Sequence, residues 1–266
     1  MKRLSFIGAG NMATAIIKGV ASGKLASAYQ ISACDLDGEK VKAMEAFGVI
    51  NGGSVAAMSA ASDLIVLAVK PQNMGDILPE LKQHMNRNAV VISIAAGISA
   101  AFLKEALGFD AKVVPVMPNT PLLIGCGATA MAQVAPVTSE EFQQVVEIFT
   151  SAGKVEVIEE RQLIDIIPVN GSSPAYIYRF AKAFVDYAEE KGIDGRTALT
   201  LFCQSLIGSA KMMLESGKSI DELIEMVSSK GGTTLKGSEV LIERGFEEIV
   251  KESCEACAKR GYELAK

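Results

Sequence analysis

Two glycine-rich loops carry the residue types best suited to chemistry. The first is Gly8-Ala9-Gly10-Asn11-Met12-Ala13, a G-x-G-x-x-A between the apolar run Leu4–Ile7 and a helical pattern. Gly8 permits a tight turn, Gly10 lets the backbone approach a pyrophosphate, and small Ala13 allows the helix to pack on the strand. The free N–H groups at the helix start, around Asn11 and Met12, then face the phosphates. Directly after the first strand of a β-α-β unit, this pattern points to a dinucleotide. Asp35 closes the second apolar run, 25 residues after Gly10. An acidic residue there bonds the ribose hydroxyls of NAD and repels the extra phosphate of NADP. The closest cations are Lys40 and Lys42, and no arginine stands nearby. Taken alone, Asp35 favours NADH. Its other role would be helix capping, for which Asp37 is better placed.

The second loop is Val227-Ser228-Ser229-Lys230-Gly231-Gly232-Thr233-Thr234-Leu235. Glycines and hydroxyls stand just before a helix expected to start near Thr234. The exposed N–H groups of Gly232 to Thr234, the helix dipole and two threonine hydroxyls make an anion site that suits a carboxylate. The competing account is a plain interhelical turn capped by threonine. Asn170-Gly171-Ser172-Ser173-Pro174 has a similar texture, with Ser173 able to cap a helix beginning at Pro174.

Three further turns follow apolar runs. Leu64–Val69 leads into Lys70-Pro71, Val90–Ile94 into Ala95-Ala96-Gly97, and Val113–Met117 into Pro118-Asn119-Thr120-Pro121. In doubly wound sheets the ligand lies across the carboxyl ends of the strands. Ala68, Val69, Lys70 and Pro71, with Ala95, Ala96 and Gly97, are therefore expected to line the cofactor crevice.

Other chemistries find little support. The five cysteines are scattered, which suits reduced thiols. Cys254 and Cys257 form a C-x-x-C inside a helical pattern, where two cysteines three apart share a face and pack. His84 is the only histidine and has no histidine partner, so zinc sites and Ser-His triads lose most of their support; no metal site is expected. A net charge of −5 argues against a nucleic-acid surface, which needs clustered Lys and Arg. Asp63, Lys70 and Arg87 interrupt the apolar strands, so no membrane span is expected. The N-terminal apolar run stops at a glycine turn without a cleavage site, and a cytoplasmic location is expected.

The elements that must position these residues alternate β and α through about residue 163, with buried, non-alternating strands. That pattern predicts an α/β fold with a Rossmann-type, doubly wound, mostly parallel sheet over residues 1–163. Strand-like runs then stop. Helical segments follow at about Ser173–Lys191, Arg196–Ser216, Ile220–Ser228, Thr234–Arg244 and Glu247–Ala265, giving an all-helical domain over 164–266. Its Ala, Met, Leu and Ile content exceeds what five short helices can hide, which predicts a helical dimer interface.

Six blocks in order resemble pyrroline-5-carboxylate reductases. They are Gly8-Ala9-Gly10-Asn11-Met12, Ala68-Val69-Lys70-Pro71-Gln72, Ser93-Ile94-Ala95-Ala96-Gly97, Val116-Met117-Pro118-Asn119-Thr120-Pro121, Gly171-Ser172-Ser173-Pro174-Ala175-Tyr176 and Gly231-Gly232-Thr233-Thr234. The resemblance, which runs from Leu4 to Gly261, implies a Rossmann domain followed by an interlocked helical homodimerisation domain, often assembled into a ring of dimers. It implies NAD(P)H-dependent reduction of 1-pyrroline-5-carboxylate, a cyclic imino acid, to L-proline. By resemblance Thr234 bonds the substrate, while Ser229, Gly231, Gly232 and the Thr233/Thr234 backbone hold its carboxylate. Many members of the family accept NADPH, which pulls against Asp35. Lys230 stands where the family usually has proline, and Pro168 where it commonly has glycine. Two other readings stay open: a β-hydroxyacid dehydrogenase, for which Lys182 would be the catalytic lysine, and a non-catalytic dinucleotide-binding sensor, which leaves the serine- and threonine-rich loop unexplained.

Overall fold

The structure is a computed structural model that describes residues 1–265. The chain forms two compact units, one made of residues 1–174 with the C-terminal stretch from Ala256, the other of residues 175–255.

The first unit is built on β1 (Lys2–Ile7), α1 (Asn11–Ser22), β2 (Tyr29–Cys34), α2 (Gly38–Met44), β3 (Ile50–Asn51), α3 (Val55–Ala61), β4 (Leu64–Leu67), α4 (Met74–His84), β5 (Val90–Ser93), α5 (Ala100–Leu107), β6 (Lys112–Met117), β7 (Gly127–Met131), α6 (Ser139–Thr150) and β8 (Gly153–Val157). The strands form one sheet in the order β3-β2-β1-β4-β5-β6-β7-β8. β1 pairs in parallel with β2 and β4 (Ile7 opposite Cys34 and Leu67), and β5 continues the parallel set on β4. The chain order reverses on either side of β1, which opens a crevice at the carboxyl ends of these strands.

The non-alternating apolar strands are central and covered on both faces. Leu4, Phe6, Leu64 and Val66 point into one core with Ile16 of α1 and Phe149 of α6. Ile7, Ile65 and Leu67 point into the other with Leu81 of α4 and Leu103 of α5. Packing on two faces is why these runs read as continuous rather than alternating.

The doubly wound, mostly parallel sheet agrees with the sequence expectation; four smaller elements were not foreseen. β7 is Gly127-Ala128-Thr129-Ala130-Met131 and pairs antiparallel to β6, Met117 opposite Ala130. Its small residues lack the bulk that marks a strand, and β8 runs so close beside it that glycine is needed at Gly153, where a Cβ would sit 2.1 Å from the Gly127 carbonyl oxygen. The alanine-rich stretch at 56–61 is helix α3, capped by Ser54. α5 is capped by Ser99 and stopped by Gly108 in the left-handed conformation. β3 is a two-residue edge strand, too short for any pattern.

The second unit consists of helices: α7 (Ser173–Glu190, from Ala175 onward), α8 (Gly195–Glu215), α9 (Ile220–Val227), α10 (Thr233–Glu243) and the start of α11 (Phe246–Leu264). Phe180, Phe184, Phe202 and Phe246 form an aromatic cluster, with Phe184 and Phe202 stacked at 4.5 Å between ring centroids. Outside that cluster apolar side chains lie open: Leu201 is 65% and Leu214 84% exposed. Contrary to the reading that no apolar run is long enough for a membrane span, α8 is long and apolar enough by length and composition alone. Its charges, Arg196, Lys211 and Glu215, sit near its ends and leave 197–210 uncharged. The interruptions at Asp63, Lys70 and Arg87 concern only the strands of the first unit.

Candidate functional site

The glycine loop is shaped by backbone sterics. Gly8 adopts φ +99°, and a Cβ there would stand 2.5 Å from the carbonyl oxygen of Ala68. Only glycine fits that turn. Gly10 has no atom within 4 Å of its would-be Cβ, so the space above it is open. It is the N-cap of α1, and no side chain caps that helix. The first N–H groups of α1, on Asn11 and Met12, are left for a ligand.

Asp35 is tied into the same loop. Its Oδ2 accepts from the Ala9 amide at 2.7 Å and its Oδ1 from the Asp37 amide at 2.9 Å, with the Lys40 ammonium 3.7 Å from Oδ1. Burial works to raise the Asp35 pKa, but the Ala9 and Asp37 amides and Lys40 outweigh it and hold the carboxyl below its usual range. Asp37, accepting from the Glu39 amide, is the helix cap. Asp35 thus fastens the glycine loop to the end of β2.

Gly8, Asp35 and Val69 share a groove of about 420 Å³. Its other lining includes Gly53, Ser54, Asn73, Asp76 and Glu80. None of these was picked out in the sequence. Asp76 and Glu80 belong to α4, which follows the Lys70-Pro71 turn, and the strand-end rule points to turns rather than to the helix beyond them. Lys70 is exposed and Pro71 opens a short 3-10 turn. Ala95 and Gly97 line a separate cavity of about 80 Å³ with Met117, Glu160 and Ser93. The Ser93 hydroxyl is buried there without a hydrogen-bond partner among the described residues. Ala96 faces outward. Asn119, from the third turn, ties strand ends together: its side chain donates to the Asn170 carbonyl at 3.0 Å and accepts from the Ala128 amide at 2.8 Å.

In the second unit, α9 ends at Val227 and the chain turns through Gly231 at φ +76°, with the Gly232 amide bonded to the Ser229 carbonyl at 2.9 Å. α10 starts at Thr233, one residue earlier than expected, on Gly232 as an N-cap without any capping side chain. A Cβ on Gly232 would lie 2.7 Å from the Ser229 hydroxyl. Threonine does not cap this helix, so the plain capped-turn account fails. The α10 start leaves the Thr233 and Thr234 amides without an intrahelical partner beside the two hydroxyls.

The side features resolve simply. His84 is exposed at the end of α4. Cys254 and Cys257 are free thiols on unbroken helix α11, and Cys257 lies 3.3 Å from the Ser172 hydroxyl. Lys182 on α7 is exposed and paired with Asp186 at 2.6 Å.

Residues 160–264 match the family model for pyrroline-5-carboxylate reductase dimerisation, and residues 3–97 match that for NADP oxidoreductase, coenzyme F420-dependent. The chain is 39% identical to the pyrroline-5-carboxylate reductase of Escherichia coli (strain K12), covering 100% of this chain and 99% of that one. Among solved structures it is similar to the pyrroline-5-carboxylate reductase of Coxiella burnetii, with TM-score 0.92 and 30% identity over 100% of this chain and 99% of that chain. It is also similar to the pyrroline carboxylate reductase of Plasmodium falciparum with NADP bound, with TM-score 0.88 and 26% identity over 100% and 98%.

Proposed function

The chain belongs to the pyrroline-5-carboxylate reductase family, and on that premise we propose that it reduces 1-pyrroline-5-carboxylate to L-proline, with residues 1–163 holding a reduced nicotinamide dinucleotide and residues 164–266 holding the substrate and joining two copies. The observation that carries the proposal is a pair of helix starts. Asp37, Ser54, Ser99, Thr138, Asp194 and Ser219 each cap a helix with a side chain. α1 and α10 instead begin on bare glycines, Gly10 and Gly232. Uncapped amides at a helix start are anion receptors. One suits a pyrophosphate, the other a small carboxylate.

The residues present fit the dinucleotide: there is open space above Gly10, the loop is pinned by Asp35, and a groove leads past Val69. When bound, the dihydronicotinamide supplies the hydride that the imine carbon accepts. We assign Gly8, Gly10, Asn11, Met12, Asp35, Ala68, Val69, Lys70, Pro71, Ala95, Ala96 and Gly97 to its binding. The small side chains of Ala95 to Gly97 leave room for a flat ring against the backbone. Asp35 supports NADH over NADPH, since a carboxylate at that strand end accepts from ribose hydroxyls and repels a 2′-phosphate.

For the substrate, Ser229, Gly231, Gly232 and the amides of Thr233 and Thr234 hold the carboxylate, and the Thr234 hydroxyl bonds the ring. The imine is reduced more readily as the iminium, so its nitrogen needs a proton, from water or from Thr234. No histidine stands in either loop, and the rate then comes from positioning and electrostatics. The deciding measurement follows NADH and NADPH oxidation on addition of 1-pyrroline-5-carboxylate, with proline identified as product. Dinucleotide binding without turnover of the imine would overturn the proposal in favour of a sensor.

A further inference from the structure

Cofactor choice is usually assigned to the acidic residue at the end of β2, but here that residue is already occupied. Both oxygens of Asp35 accept backbone amides, and Lys40 stands 3.7 Å away. Part of its charge is spent on holding the glycine loop. The groove beside it has two more carboxylates. Asp76 lies in the first turn of α4 and Glu80 one turn further along, and both line the same space of about 420 Å³ as Asp35, Gly53 and Ser54. No lysine or arginine is among the described residues that line it.

We propose that Asp76 and Glu80 are specificity-determining residues that, together with Asp35, reject a 2′-phosphorylated dinucleotide. The inference deepens the dinucleotide reading given above and rests on it. A phosphate monoester brings about −1.5 to −2 charges at neutral pH. Asp76, Glu80 and Asp35 would face it from α4 and from the end of β2. Within a groove, screening by salt is weaker than across an open surface, where it acts over about 8 Å at physiological ionic strength. A neutral ribose hydroxyl meets no such repulsion and finds carboxylate acceptors. Glu80 is held in place by accepting the Ala56 amide at 3.0 Å, at the first turn of α3. The charges are felt locally: burial first, then the Asp35 and Glu80 carboxylates, push the thiol of Cys34 at the groove floor up to about 11.

The test needs no imine. Dissociation constants for NADH and NADPH are measured by dinucleotide fluorescence on the full chain, for wild type, Asp76→Asn, Glu80→Gln and the double variant. Glu80→Gln keeps a carbonyl oxygen for Ala56, and thermal melting checks each fold. The quantity read is the ratio Kd(NADPH)/Kd(NADH), which a merely structural loss would leave in place because both dinucleotides would weaken together. The ratio is expected above ten in wild type and to fall at least threefold in the double variant, with wild-type selectivity also shrinking as salt is raised. A fall of less than threefold in the double variant overturns this proposal alone. A wild-type ratio of one or below overturns it together with the NADH reading, while a failure to reduce the imine with selectivity intact falls on the proposed reaction and not on these residues.

Discussion

At the scale of single residues, two glycine turns set the terms. Gly8 sits at φ +99° with the Ala68 carbonyl where a Cβ would go. Alanine there must move the backbone of β4's end or abandon the turn, a cost of about 1–3 kcal/mol for strained backbone. Gly8→Ala is therefore expected to weaken NADH binding at least tenfold and lower the melting temperature, which titration and calorimetry would read. Thr234 belongs to the loop proposed to hold the substrate. Thr234→Ala is expected to cut kcat/KM for the imine tenfold or more, about 1–3 kcal/mol for a lost polar contact, while NADH binding stays as in wild type. Unchanged kinetics would remove Thr234 from the mechanism.

At the scale of elements, the caps and short ion pairs do the positioning. α6 is held by a capping box in which Thr138 and Glu141 bond each other, and Glu141 also meets Lys112 of β6 at 2.6 Å. Burial tends to raise the Glu141 pKa, but the Lys112 ammonium and the Thr138 amide and hydroxyl prevail and keep it below the ordinary 4.5. A carboxyl lowered in the native state stabilises above its unfolded pKa and loses that contribution as pH falls through the native one. Glu141→Gln should thus melt below wild type at pH 7, and the gap should close as the pH is taken below about 4.5. A gap that stays constant between pH 7 and pH 3 would show that the charge on Glu141 contributes nothing. The α4 helix matters differently: it contributes both a core face, through Met74, Leu78 and Leu81, and two groove carboxylates.

At the scale of the whole molecule, the helical region cannot be understood as a lone chain. α8, α9 and α10 contain no buried residue, and Leu201, Leu214, Ile224 and Val240 all lie more than half exposed. Apolar surface of this extent marks an interface, and the match to a dimerisation family over residues 160–264 accounts for it. The apolarity of α8 has the same explanation. If burial between copies stabilises the fold, the melting temperature should rise with protein concentration. Leu201→Glu on α8 should shift the sedimentation coefficient towards the monomer, and a variant that still sediments as wild type would exclude that part of α8 from the interface.

What could be read before folding was local. The turn at Gly8, the helix start after Gly10 and the glycine pair before Thr233 follow from φ, from close backbone approach and from helix ends, all properties of a few consecutive residues. The alternation of apolar runs with helical patterns likewise foretold the sheet, because burial on both faces leaves a mark on each strand by itself. Tertiary structure decided the rest. β7 has side chains too small to announce a strand and exists because β6 and β8 flank it. Asp35 was legible as an acidic strand end, but its bond to the Ala9 amide arises from the parallel pairing of β1 with β2. Asp76 and Glu80 join Asp35 only because α4 packs back onto the sheet and brings residues some forty positions apart to one groove. Charge acts through space, and no spacing along a chain reveals which carboxylates will share it.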